Sequence, residues 1–139
     1  MAQITGTTST PSGLVPGQLA ISLPGTAQAA TGVGQAFSIP QADAGHDFTW
    51  DLVITGTAPG TLEVDLEEAL DSAFTIAAGQ PGVASAGQMD TYTGVASTTR
   101  HVTNKQTLFV RLNIITLTGG DATTRILGRI LCCKRGSGL

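Results

Sequence analysis

Thr61-Leu62-Glu63-Val64-Asp65-Leu66-Glu67 is the stretch that decides the fold. Leu62, Val64 and Leu66 fall on one side and Glu63, Asp65 and Glu67 on the other, the period of two that a strand requires. A strand with one apolar and one charged face belongs to a sheet buried on one side and wet on the other, the habit of antiparallel sheets. The pattern repeats upstream, where Phe48, Trp50, Leu52 and Ile54 alternate through 47–55 before a Gly56–Gly60 turn containing Pro59. Downstream, Leu108, Val110, Leu112 and Ile114 alternate through 108–117, and Gly119-Gly120-Asp121 turns the chain into a last apolar run over 123–133. Shorter strands are expected at 36–39, 74–76 and 89–95, with a single helical turn allowed at 67–73 and a loop at 79–87.

Short strands spaced by about 8–12 residues and almost no helical periodicity predict an all-β chain. The expected architecture is a jelly-roll-like antiparallel β-sandwich over residues 35–139, ending in a loose basic tail. Its core is read as Phe48, Trp50, Leu52, Ile54, Leu62, Val64, Leu66, Leu108, Val110, Leu112 and Ile114.

Residues 1–34 read differently. They are rich in Thr, Ser, Gly, Pro and Ala, and carry one alternating stripe, Leu19, Ile21 and Leu23, closed by Pro24-Gly25. A neutral segment of this kind cannot build a core alone, so it is expected as an extended N-terminal arm. Either the stripe lies on a neighbour, or the segment is a floppy terminus.

The charges are sorted into blocks. Residues 1–42 contain no Asp, Glu, Lys or Arg; nine acids then run from Asp43 to Asp90; all seven bases follow, with only Asp121 among them. Charged residues make up 12% of the chain, about half the usual share of roughly 25%. Freely solvated surfaces intersperse signs, so the pattern suits a chain whose surface meets other protein. Two readings cover the opposite-sign halves: Glu63, Asp65 and Glu67 facing Arg111, Arg125 and Arg129 within a subunit, or the same rows meeting across a subunit boundary. A net charge of −3, with the bases scattered through strands, gives no concentrated footprint for nucleic acid.

Chemical signals are sparse. His46 and His101 lack the spacing partners of a metal site, no G-x-S-x-G or phosphate loop occurs, and three carboxylates along one strand diverge rather than enclose an ion. No catalytic, cofactor or metal role is expected. Trp50 reads as core, leaving Tyr92 and Phe109 as the rings open to a sugar. Cys132 and Cys133 are neighbours whose side chains point to opposite faces of a strand, so two reduced thiols in a protein made in a cytoplasm are expected. No signal peptide or apolar run of membrane-spanning length is visible.

Two stretches carry a resemblance. One runs from Phe48-Thr49-Trp50-Asp51-Leu52-Val53-Ile54-Thr55-Gly56 to the acidic bend Leu70-Asp71-Ser72 and the aromatic Phe74. The other is Leu108-Phe109-Val110-Arg111-Leu112-Asn113-Ile114-Ile115-Thr116-Leu117-Thr118-Gly119-Gly120. Together they resemble the small β-sandwich structural proteins of tailed bacteriophages, although the Gly and Trp that commonly surround the bend are missing here. The resemblance implies a virion component, foremost a capsid decoration (cement) protein bound to the major capsid protein or another virion protein, and commonly a homotrimer. The alternative it implies is a receptor- or glycan-binding module of a tail or fibre. The residues expected to carry contacts are Leu19, Ile21, Leu23, Arg111, Arg125 and Arg129.

Overall fold

The computed structural model describes residues 2–28, 30–39, 45–78 and 86–134. Among these the chain forms strands and turns, with no helix. The strands are β1 (Ser12–Gly13), β2 (Leu19–Ala27), β3 (Gly32–Val33), β4 (Phe37–Ser38), β5 (His46–Thr55), β6 (Thr61–Ala69), β7 (Gly87–Thr93), β8 (Thr98–Lys105), β9 (Phe109–Thr118) and β10 (Arg125–Lys134). They make two sheets. One is six-stranded, ordered β1-β4-β9-β6-β7 with β3 also on β9; the other is four-stranded, ordered β2-β10-β5-β8.

The pairing is nested. β6 lies antiparallel to β7, β5 to β8, β4 to β9 and β2 to β10, so the chain folds back on itself as one long hairpin rolled into two layers. This gives the all-β sandwich of two largely antiparallel sheets that the alternation predicts. Phe48, Trp50 and Leu52 of β5 face Leu62, Val64 and Leu66 of β6 and Val110, Leu112 and Ile114 of β9 across one core, joined by Ile126, Ile130 and Cys132 of β10. Gly128 lies on the same inner face of β10. A Cβ there would sit 2.6 Å from Leu112 Cδ1 and 2.9 Å from Leu23 Cδ1, so only glycine lets those leucines meet.

The N-terminal segment is the main departure from expectation. Residues expected as an arm are part of the sandwich: β1 pairs parallel with β4, β2 is the outermost strand beside β10, and β3 pairs with β9. Ile4, Leu14 and Leu23 are buried in the common core. The Gln3 side-chain amide ties the start of the chain down by donating to Gly34 O at 2.9 Å. A charge-free composition marks strands that pair with the far half of the chain, where alternation alone cannot reveal the partner.

Smaller departures have local causes. Residues 74–76 are a turn, because Phe74 takes a φ of +57°, outside strand geometry. Leu108 lies in the connection before β9 and is 42% exposed. Ile54 is half-buried and packs against the core. β8 is an unforeseen strand, since its inward positions Thr98, Arg100 and Val102 include only one apolar side chain. Of the expected 79–87 loop and 134–139 tail, residues 79–85 and 135–139 lie outside the described residues.

Polar contacts cross between the sheets along two sides. On one side Asp90 of β7 accepts from Trp50 Nε1 at 2.9 Å and from Arg100 Nε and Nη2 at 2.8 and 3.0 Å. On the other, the Ser22 hydroxyl of β2 accepts from the Leu112 amide at 3.0 Å and donates to Gln35 O at 2.9 Å. Burial pushes the Asp90 carboxyl up, but the hydrogen bonds from Arg100 and Trp50 outweigh it and hold it below the usual aspartate range.

Trp50→Ala is expected to cost roughly 3–5 kcal/mol, measured by denaturant unfolding, because the ring is fully buried and leaves a cavity. Because the folded Asp90 pKa is depressed, its contribution is present above the unfolded value of about 3.9 and is lost as pH falls through the lower folded value. Asp90→Asn should therefore lower stability at neutral pH and flatten its fall below about pH 4. Deleting residues 1–34 should abolish the cooperative melt, since it removes β1, β2 and β3 with their core side chains.

Candidate interaction surface

β2 begins with the stripe Leu19, Ile21 and Leu23, and strict alternation would put all three on one face. A β-bulge intervenes. Leu23 opposes Gly128 and Ile21 opposes Arg129, so Ser22 has no partner of its own on β10. One extra residue reverses the facing of everything beyond it. Leu23 therefore enters the core at 1% exposure, while Leu19 and Ile21 face outward at 49% and 53%.

The outer face of the β2-β10-β5-β8 sheet is built from cross-strand rows. Ile21, Arg129, Asp51 and Thr99 form one row, and Leu19, Leu131, Thr49 and His101 the next. In the first, Arg129 grips Asp51 with two bonds, Nη2 to Oδ2 at 2.6 Å and Nε to Oδ1 at 3.1 Å. That hydrogen bonding raises the arginine's pKa further. In the second, Thr49 Oγ1 and His101 Nδ1 are hydrogen-bonded at 2.9 Å. The charges in the middle of the face are thus satisfied within the sheet, and its β2 side is apolar. Val15, in the connection that precedes β2, is also 55% exposed.

The two edges of this sheet differ. β8 carries Arg100, His101 and Lys105, the kind of charge that discourages another strand from pairing with an edge. β2 carries no charged residue from Leu19 to Ala27. Pro24, which has no amide hydrogen to offer, interrupts it midway. The stretch around Leu19–Ile21 therefore combines an outer strand, exposed aliphatic side chains and electrical neutrality.

The predicted contact residues are dispersed. Arg125 pairs across to Ala27 and Thr55 at the far end of β10, and is exposed beside a shallow notch of about 200 Å³ lined by Pro24, Val53 and Leu127. Arg111 lies on the other sheet, where its Nε donates to Glu67 Oε1 at 2.7 Å. The three arginines do not form one row, and two of them are paired within the subunit, Arg111 with Glu67 and Arg129 with Asp51. Asp65 is buried and accepts from Thr91 Oγ1 and Gln88 Nε2 at 2.9 and 3.1 Å. Val15 was missed because it sits among Pro and Gly with no alternating neighbour.

The rings left open to a sugar are half-buried: Tyr92 packs on the core with its hydroxyl on Ala96 O, and Phe109 lies edge-on to Phe74. Cys132 and Cys133 are both free thiols, one buried and one exposed, as opposite strand faces require. Burial pushes the Cys132 thiol up to about 12. Among the described residues, no group of three or more His, Cys, Asp or Glu is placed to hold a metal, and no helix is long and apolar enough to cross a membrane.

No protein-family model matches the chain. No curated protein sequence matches it either. Among solved structures it is similar to the crystal structure of SPBc2 prophage-derived protein YomS, with 11% identity, a TM-score of 0.42, and coverage of 86% of this chain and 98% of that one.

Exposed aliphatic residues contribute little to a monomer's stability. Leu19→Lys and Ile21→Lys should each leave the unfolding free energy within about 0.5 kcal/mol of wild type. Leu23→Lys, one position past the bulge, should prevent folding, and thermal melts of the three variants test the assignment of faces.

Proposed function

We propose that this chain is a structural component of a bacteriophage particle, and specifically a capsid decoration protein that binds neighbouring capsid subunits. The observation that carries the assembly reading is the neutral start of β2, where Leu19 and Ile21 stand exposed at the side of a sheet. An apolar strand left open on an outer edge is a template for pairing with another chain. The bacteriophage part rests on the resemblance of the Phe48–Phe74 and Leu108–Asp121 stretches, the second of which contains β9 and the turn after it.

The low charge supports the same reading. A surface with few lysines and many threonines can be covered by protein with little desolvation cost. Partners are then the major capsid protein or a neighbouring virion protein, and the protein works as a homo-oligomer, a trimer by the resemblance. Its location is the virion after synthesis in the host cytoplasm.

The test is co-sedimentation of purified protein with phage heads that lack it, with tails as the second arm. Wild type is expected to sediment with heads, and Ile21→Lys at least tenfold more weakly, since it places a charge where an aliphatic side chain would be buried. Association with tails alone would replace the head assignment with the tail-module reading. Equal association of wild type and Ile21→Lys would remove β2 from the interface.

A further inference from the structure

The bend Leu70-Asp71-Ser72 and the aromatic Phe74 lie outside the inter-sheet core and the β2 surface, and Phe74 is buried in a small separate cluster with Ala36 and Ala69. The bend folds over the outer face of the β1-β4-β9-β6-β7 sheet, on the opposite layer from β2. Asp71 fixes it by accepting from the amides of Thr75 and Ile76 at 2.8 and 2.9 Å. Within it Phe74 adopts a φ of +57°, a conformation that bulky residues rarely take. Strain of this sort persists only where its surroundings over-determine it, and it concentrates at ligand sites. Here it sets the Phe74 ring under the Arg111 guanidinium, with Cζ 4.1 Å from the ring centroid.

Arg111 is held from three directions. Phe74 lies against its face, Glu67 accepts from its Nε, and Asn113 Nδ2 fixes the other Glu67 oxygen at 2.9 Å. Its two terminal NH₂ groups make no bond to protein among the described residues. The same arginine lines a hollow of about 550 Å³ whose other walls include Ser9, Thr10, Pro11 and the bend residues Ser72 and Ala73. The hydroxyls of Ser9, Thr10 and Ser72 have no protein partner among the described residues. A rigid, planar pair of donors with hydroxyls around it matches a carboxylate on a hydroxylated ring.

We propose that this hollow is a binding site for an acidic sugar residue, with the carboxylate on the Arg111 NH₂ pair and the ring hydroxyls on Ser9, Thr10 and Ser72. Glu67 beside Arg111 and Asp71 in the bend oppose a doubly charged ligand more than a singly charged one. That disfavours a dianion such as a phosphate monoester and leaves a monoanion. The size is that of a small-ligand site, in the range of roughly 300–1,000 Å³. The inference needs no particle and stands apart from the assembly reading.

The test is a titration of the full-length, isotope-labelled protein with methyl glucuronide, followed by amide NMR shifts, with methyl glucoside and acetate as controls. Saturable shifts confined to residues 9, 10, 72, 73 and 111 are expected, with binding about tenfold weaker for each control, because each lacks half the contacts. Arg111→Lys keeps the charge beside Glu67 but loses the paired donors. Ala73→Glu puts a carboxylate on the exposed rim and leaves the Arg111–Glu67 pair intact. Both should abolish the shifts, and Ala73→Glu, which leaves the Arg111 contacts in place, should melt like wild type. Absence of saturable shifts, acetate binding as well as the glucuronide, or undiminished binding to Ala73→Glu would each overturn the proposal.

Discussion

The bulge at Ser22 is the constraint on which the rest of the sandwich turns. By leaving one residue of β2 unpaired, it sends Leu23 inward and keeps Leu19 and Ile21 outward. The freed serine then does what a regular strand residue cannot. Its hydroxyl binds the Leu112 amide at 3.0 Å and Gln35 O at 2.9 Å, and its carbonyl accepts from the Gln35 amide at 2.7 Å. A buried hydroxyl that both donates and accepts is fully satisfied, so it joins the layers without the penalty of a lone polar group. The neutral first third of the chain is thereby committed to the core, and it still presents an apolar strip to the outside.

The nested pairing also accounts for the sorted charges. A chain that rolls up as one long hairpin sets its second half against its first. The acids of 43–90 therefore meet the bases that follow: Asp51 with Arg129, Glu67 with Arg111, Asp90 with Arg100. Each pair is largely shielded from water on its acidic side, with side-chain exposures of 16%, 13% and 17% for the carboxylates. Such pairs contribute more to register than to net stability, because desolvation offsets much of the attraction. Among the charge-free strands β2 lies against β10, and β3 and β4 lie against β9, while the arginines of β9 and β10 turn toward β6 and β5. Segregation along the sequence thus becomes interspersion in space, and a strand pair can slip only by separating these charges.

What could be read from the sequence was whatever repeats locally. β5, β6, β9 and β10 show their inward faces as alternating apolar residues, and the fold class follows from them. β8 stayed hidden because its inward Arg100 serves Asp90 of the opposite sheet, a contact joining residues far from a shared strand. Two of the N-terminal strands stayed hidden for a related reason: β1 and β3 are two residues long, and their partners β4 and β9 lie many residues away. Of the candidate contact residues, Leu19 and Ile21 were legible as an apolar stripe. That Leu23 leaves the stripe was not, since a bulge depends on what the neighbouring strand offers. Arg111 was legible as a charge on a strand, while its Phe74 platform depends on a backbone angle that no pattern of residue types announces.

Phe74 shows how a local cost is carried by the surrounding structure. Holding a bulky residue at positive φ costs on the order of 1–3 kcal/mol, and a free peptide of this sequence would relax to another conformation. Three sets of contacts prevent that here. Asp71 holds the turn through its side-chain bonds to Thr75 and Ile76, the Leu70 amide closes the bend on Ile76 O at 2.9 Å, and the ring is sandwiched between Phe109 and Arg111. A buried cation–π contact alone is worth up to about 2 kcal/mol when desolvated, comparable to the strain it opposes. The bend is therefore held by contacts on several sides, although it is formed as a loop. Arg111 is positioned by the same set, with the ring below it and the carboxylate beside it.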